Sequence, residues 1–196
     1  MRAIVLEVTP ADLARRRRIG ADRWDEMWEG VLHMTPAPSR EHQRIAEELI
    51  EWLRPLLRRT GRGQLCAGIN VFRADDDYRV PDLTFVAAGH EYRLAEDGVR
   101  DGGPDAVIEI RSPNDETYEK LPFFAAIGTR EVAVIDRDTK QPEVFRLAGE
   151  SYLRAEADAE GWVESEVLAV RFRCVPGVPP HLEIADAADA ALRHVI

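Results

Sequence analysis

Residues 106–115, AVIEIRSPND, hold a carboxylate in a place that solubility does not explain. Ala106, Val107, Ile108 and Ile110 form a near-continuous apolar run, the pattern of a strand buried on both faces. An ionised Glu109 in that run costs several kcal/mol unless it is paired, protonated or bound to a cation. Two answers are open. Side chains alternate along a strand, so Asp105, Val107, Glu109 and Arg111 share one face, and a buried Glu109–Arg111 ion pair is the first. The second is a hard divalent cation such as Mg²⁺, which takes oxygen ligands that include one or two carboxylates. Asp105 cannot easily share that ion, because four residues at about 3.3 Å each separate it from Glu109 by roughly 13 Å. The second carboxylate must then come from a neighbouring strand. Asp82, directly after Pro81 in VPDLTFV, is the best placed. An ion held there would lower the pKa of a bound water and stabilise charge on a phosphate under attack.

These groups need elements to position them. TPADLARRRR opens with Thr9 as N-cap and Pro10 at the first helical position, and Gly20 ends the helix. WDEMWEGVLHM (24–34) predicts a strand pair turning at Glu29-Gly30, and TPAPS breaks the chain after it. From Ser39, SREHQRIAEELIEWLRPLL is the clearest helix, with Ile45, Ala46, Leu49, Trp52, Leu53 and Leu56 on one face. His42 falls on that apolar face, either as a core histidine with one hydrogen bond or as a group lining a cleft. INVFRADDDYRVPDLTFV predicts a hairpin turning at ADDD, with Pro81 starting its second strand. NDETYEKLPFFAAIG is helix-like, EVAVID and PEVFRL are strands, and ADAADAALRHVI predicts a closing helix. Helix, hairpin, helix, strands, helix, strands is the order of an α+β domain with a mixed central sheet covered by helices. Glu29 and Glu48 are further candidates for an accessory acid.

The chain has 196 residues, and no repeat or long linker divides it, so a single domain over 1–196 is expected. No apolar run approaches the roughly 20 residues of a membrane span, and the first residues lack a secretory pattern. Two cysteines, Cys66 and Cys174, make neither a zinc spacing nor a disulfide framework, and a reducing cytoplasm is the expected setting. Net charge is −10, which at first argues against a nucleic-acid partner. The charge is unevenly spread, however: residues 1–73 carry 13 basic and 10 acidic side chains, with the basic ones gathered in RRRR (15–18) and RPLLRRTGR (54–62). A local basic rim on an acidic body is one reading of those runs; solvated helix ends are the other.

VPDLTFV, followed 27 positions after Asp82 by the Glu of IEIRS, resembles the PD-(D/E)xK nuclease superfamily. More narrowly, the chain resembles the Uma-type family of putative restriction endonucleases. WEGVLHMTPAPSREHQRI is similar to that family's N-terminal hairpin and helix, GGPDAVIEIRSPND to its catalytic strand, and EKLPFFAAIGTREVAVID to the helix and strand that follow. The resemblance implies a restriction-endonuclease-like fold and a metal-dependent endonuclease cutting nucleic acid, with DNA the expected substrate. It implies Mg²⁺ or Mn²⁺ held by Asp82, Glu109 and the backbone carbonyl of Ile110, and a lysine near the nucleophilic water. At position 111, where the superfamily has that lysine, stands Arg111. An arginine stays protonated and cannot readily act as a base, although it can contact a phosphate. In Uma-type proteins the lysine has moved to the next helix, which matches Lys120; Pro122 puts Lys120 in a kink or before the helix proper. The family also has a histidine at the place of His42, where it would orient a carboxylate or water or serve as a base. A homodimer follows from how two-strand cutting is usually arranged. The competing reading is a catalytically inactive binding or assembly module with a structural Glu109–Arg111 pair.

Overall fold

The computed structural model describes residues 3–5 and 8–196. In chain order the elements are β1 (Ala3–Val5), α1 (Pro10–Arg18), β2 (Asp25–Trp28), β3 (Val31–Met34), α2 (Arg40–Arg59), β4 (Gly63–Ala67), β5 (Asn70–Ala74), β6 (Asp77–Arg79) and β7 (Leu83–Ala87). There follow β8 (Leu94–Ala95), β9 (Gly98–Val99), β10 (Ala106–Arg111), α3 (Leu121–Ala126), β11 (Glu131–Asp136), β12 (Pro142–Ala148) and β13 (Ser151–Arg154). The last four are β14 (Val163–Ser165), β15 (Val170–Val175), β16 (His181–Asp186) and β17 (Arg193–Val195). The fold is α+β, with a mixed central sheet of order β13-β12-β11-β10-β7-β4 in which β10 and β11 run parallel and the other neighbours antiparallel.

The alternation of β10 decides what lies on each side of that sheet. Ala106, Ile108 and Ile110 point into a core shared with Ile45, Leu49, Leu53 and Leu57 of α2 and with the C-terminal sheet β14–β17. Val107 points the other way, into a second core with Phe123 and Phe124 of α3 and with Val71 and Val99. Glu109 belongs by parity to the Val107 face, and therefore looks toward the chain entering α3. This is the link from sequence to site: α2 covers one face and α3 the other, and the single acid of the strand faces α3.

Local signals explain most of the ends. Thr9 caps α1 in a reciprocal box with Asp12, Pro10 opens it, and Gly20 follows its C-cap at φ 66°. Glu29 and Gly30 both take positive φ in the two-residue turn between β2 and β3, as a primed hairpin turn requires. Ser39 caps α2, accepting the amide of His42 at 3.3 Å.

Two expectations change. The segment from Ile69 to Val86 is not one hairpin: β5 pairs with β6 in a seven-stranded sheet, while β7 lies in the central sheet between β4 and β10. Val80-Pro81-Asp82 is the crossing between sheets, because proline has no amide to continue the first ladder. The predicted C-terminal helix is absent as well. Ile184 and Ala185 are buried in β16, and the Asp186 carboxylate accepts the amides of Ala188 and Asp189. Those bonds make a turn in place of helix, the competition short acidic side chains offer a backbone. β17 then returns antiparallel to β16 and buries Ile196.

Candidate active site

β7 and β10 pair antiparallel with Ala106 opposite Phe85 and Ile108 opposite Leu83. Continuing that register by one residue brings Asp82 opposite Glu109, so the two carboxylates come from adjacent strands at one end of the sheet. Asp82 is held at both oxygens. Oδ2 accepts the Ile110 amide at 2.7 Å, and Oδ1 accepts from His42 Nε2 at 2.8 Å. An ionised carboxylate only accepts, so Nε2 carries the proton and Nδ1 is left to face the Ser112 hydroxyl, 3.4 Å away. In a strand a residue's N–H and C=O point to the same side. The Ile110 carbonyl therefore emerges on the side where its amide meets Asp82.

Glu109 is 4% exposed. Its cation is Lys120, whose Nζ lies 3.2 Å from Glu109 Oε1 and 2.8 Å from Glu26 Oε1. Lys120 ends a single 3-10 turn, Tyr118–Lys120, that leads into α3, and Pro122 occupies the first turn of that helix. There its missing amide would have had no helical partner, so the proline sets the helix start without displacing the lysine. Burial pushes the Glu109 carboxyl up to about 8; Lys120 opposes that rise, while Asp82 and Glu26 add to it. Burial works against the charge on Lys120, but Glu109 and Glu26 outweigh it and the ammonium is held well above its usual range.

Glu26 is the site residue that the sequence reading passed over in favour of Glu29 and Glu48. It is buried, and Oε1 accepts both the Lys120 ammonium and the Val80 amide at 2.9 Å, while Oε2 accepts Trp28 Nε1 at 2.9 Å. Trp28 is itself fixed by the Arg79 guanidinium, which stacks between the Trp28 and Phe123 rings at 4.1 and 4.2 Å. Glu26 thus ties the lysine to the sheet crossing that delivers Asp82. A signal did exist: Glu26 lies two residues from Trp24 and from Trp28, and so shares their strand face. Glu29 is in the hairpin turn with Arg73 at 3.5 Å, and Glu48 binds His194 at 2.7 Å. Neither lines the site cavity.

Arg111 corrects both of its expected roles. Its guanidinium bonds Asp136 at 2.9 Å, directly across on the parallel neighbour β11, and lies over the Tyr118 ring at 5.2 Å. It pairs with neither Glu109 nor the cavity. The physical reason is position: Arg111 is the last residue of β10, and Asp136 stands opposite it at the same sheet edge. Asp105 is likewise used elsewhere, accepting the Ala87 amide at 2.8 Å and His90 Nδ1 at 2.9 Å.

Asp82, Glu109, Lys120, His42, Ile110 and Glu26 line one cavity of about 620 Å³, roofed by the segments around Pro36–Pro38 and Ser112–Thr117. At its floor three carboxylates, Glu26, Asp82 and Glu109, face one ammonium. That excess of negative charge suits a divalent cation. Among the described residues no three His, Cys, Asp or Glu side chains gather as a metal-holding set. Asp82, Glu109 and the Ile110 carbonyl are oxygen donors of the kind Mg²⁺ accepts when water completes its shell.

A model of the Uma2 family, described as "Putative restriction endonuclease", matches residues 15–175. No curated protein matches the chain. Among solved structures, the chain is similar to a putative nuclease of DUF820 from Anabaena variabilis, with 22% identity and a TM-score of 0.59 over 74% of this chain and 83% of that one. At that identity the likeness shows the fold. No described helix is long and apolar enough to cross a membrane.

Proposed function

The chain belongs to the Uma2 family of putative restriction endonucleases, and from that premise we propose that it is a metal-dependent endonuclease that hydrolyses phosphodiester bonds in DNA. The observation that carries the proposal is the meeting of Asp82, Glu109 and Lys120, from three separate segments of the chain, on one cavity. Asp82, Glu109 and the Ile110 carbonyl would hold Mg²⁺ or Mn²⁺. When bound, such an ion supplies charge neutralisation on the phosphate and makes water a stronger acid.

The chain's own groups do the rest. His42 and the Ile110 amide fix the plane of the Asp82 carboxylate from opposite oxygens, so it needs no reorganisation to bind. Lys120 spends two of its three N–H bonds on Glu26 and Glu109 and can offer the third to a phosphate oxygen or to the attacking water. Its raised pKa suits a charge donor and argues against a base. Arg111, bound to Asp136, takes no part.

Titration of Mn²⁺ into wild type, Asp82→Ala and Glu109→Ala tests this, with DNA cleavage and thermal stability followed together. Wild type should cleave and should gain stability with rising Mn²⁺, and both variants should lose the two responses. Equal, metal-independent behaviour of all three proteins overturns the proposal.

A further inference from the structure

A nuclease must attract a polyanion, and this cavity is poorly charged for that. Glu26, Asp82, Glu109, Asp115 and Glu116 line it against Lys120 and Arg137. Phosphate contacts come from arginine and lysine, so the attraction has to be supplied beside the cavity. The chain has two basic clusters. In the second, Arg62 is consumed by Asp186 and the carbonyls of Leu168 and Ala169, and Arg54 donates to the Leu65 carbonyl. Arg58 and Arg59 are exposed, but Arg58 lies sixteen residues along α2 from His42, about 24 Å at the helical rise.

The first cluster is different. α1 buries no residue, so core packing does not account for the helix. It is fastened by Arg16, which grips Asp25 through Nε at 2.5 Å and Nη2 at 2.7 Å and bonds the Ala21 carbonyl at 2.6 Å. Asp25 alternates with Trp24 and Glu26, which line the cavity, so α1 sits behind the strand whose other face forms the cavity wall. With Arg16 turned inward, helical geometry splays Arg15 and Arg17 about 100° to either side and points Arg18 outward. All three are exposed, and among the described residues none is in an ion pair; Arg15 acts on Asp12 only through space. Exposed Arg23 extends the ridge, with its guanidinium 4.9 Å over the Trp24 ring at the cavity wall.

We propose that α1 is a docking ridge for the sugar-phosphate backbone of DNA, with Arg15, Arg17 and Arg18 holding phosphates behind the cavity wall and Arg23 carrying the strand to its edge. The identity of the polyanion rests on the nuclease reading; the ridge itself rests on α1 and its clamp. Basic residues in a last helical turn also complement the helix dipole. That role is local, however, and predicts no effect on DNA.

The test is fluorescence anisotropy of a labelled mixed-sequence duplex in EDTA, where no metal-dependent cutting consumes the probe. It compares wild type, the triple variant Arg15→Gln/Arg17→Gln/Arg18→Gln, and a control Arg58→Gln/Arg59→Gln. Glutamine keeps helix propensity, and none of the three ridge side chains grips the body, so the thermal midpoint should fall only by what the helix dipole loses, a few degrees at most. Each phosphate contact contributes a slope near −0.9 to log K against log salt. The triple variant should therefore bind on the order of 100-fold more weakly at 0.1 M salt, with a slope shallower by about 2 to 3. The control should match wild type. The inference is overturned if the triple variant binds like wild type, if the control loses as much, or if wild type does not bind the duplex. Ridge-dependent binding without any Mn²⁺-dependent cleavage would leave the ridge standing and remove the nuclease reading. Cleavage that survives the triple variant unchanged would do the reverse.

Discussion

Replacing Glu109 by glutamine keeps the shape of the side chain and removes one ionisable proton from the most buried part of the site. In the metal-free protein the folded state holds that carboxyl at about 8, against about 4.5 when unfolded. A carboxyl raised on folding contributes stability that is fully present below its unfolded pKa and is lost as pH climbs through the folded one. Wild type should then weaken from about pH 4.5 to pH 8 and level off above that. The rise from about 4.5 to about 8, at 1.36 kcal/mol for each tenfold change in acidity, sets a ceiling of roughly 5 kcal/mol for the loss. Glu109→Gln has nothing to ionise, so at pH 5 it should match wild type and at pH 9 it should be the more stable protein. Thermal unfolding in EDTA at pH 5, 7 and 9 measures this, and for a chain of this size each kcal/mol moves the midpoint by about 2–4 °C. Excess Mn²⁺ at pH 9 should restore wild type, by about 2.7 kcal/mol at a hundred times its Kd, and leave Glu109→Gln unchanged. Identical pH slopes for the two proteins in EDTA would mean that Lys120 fully neutralises Glu109, and the reasoning from uncompensated charge would be wrong.

Arg111→Gln should cost no more than about 1 kcal/mol and leave the Mn²⁺ response intact, because its pair with Asp136 is half-exposed; a loss of about 3–5 kcal/mol in urea melts would instead mark Arg111 as the partner of a buried acid. Glu26→Gln removes a charge from beside Lys120 and should destabilise the fold by about 2–3 kcal/mol. The same variant should slow DNA cleavage yet keep a Mn²⁺-dependent rise in thermal midpoint, since Glu26 is not in the expected ligand set. Gly63→Ala should cost about 3 kcal/mol or more in chemical denaturation, because Gly63 has φ 150° and an added Cβ would lie 2.2 Å from the Val86 carbonyl oxygen.

Most of the scaffold was legible because its signals are local. A Ser or Thr cap, a proline at a helix start, an acid in an apolar run and a glycine turn each act within a few residues. Asp82 and Glu109 were readable as a pair because the strand period and the length of a carboxylate site together forced a cross-strand partner. What failed depended on contacts distant in sequence. The segment 187–192 has helix-forming alanines, and only Asp186 turning back on its own backbone, with Ile196 anchored in the core, shows why no helix forms. VPDLTFV looked like half of a hairpin because pairing with β4 and β10 is invisible from within the segment. Alternation alone offers Arg111 as one partner for Glu109, whereas Asp136, 25 positions on, captures it. Glu26 escaped notice because its value lies in what it touches, a lysine 94 positions away and a backbone amide 54 positions away.

The arrangement also bears on why a lysine outside the strand can serve this site. A cation at position 111 shares a face with Glu109 but stands at the sheet edge, where Asp136 competes for it on the neighbouring strand. A cation at position 120 approaches from above that face, at the level of Glu109, carried by the turn whose following helix buries Phe123 and Phe124 against Val107. The lysine is thus fixed by core packing, with no dependence on the last residue of β10. Packing alone gives no reason for the acids it meets. A buried ion pair is often no more stabilising than apolar residues of the same volume, and a third carboxylate makes it worse. Glu26, Asp82 and Glu109 around one ammonium therefore cost the metal-free protein stability, and that cost is offset only when a further positive charge enters the cavity.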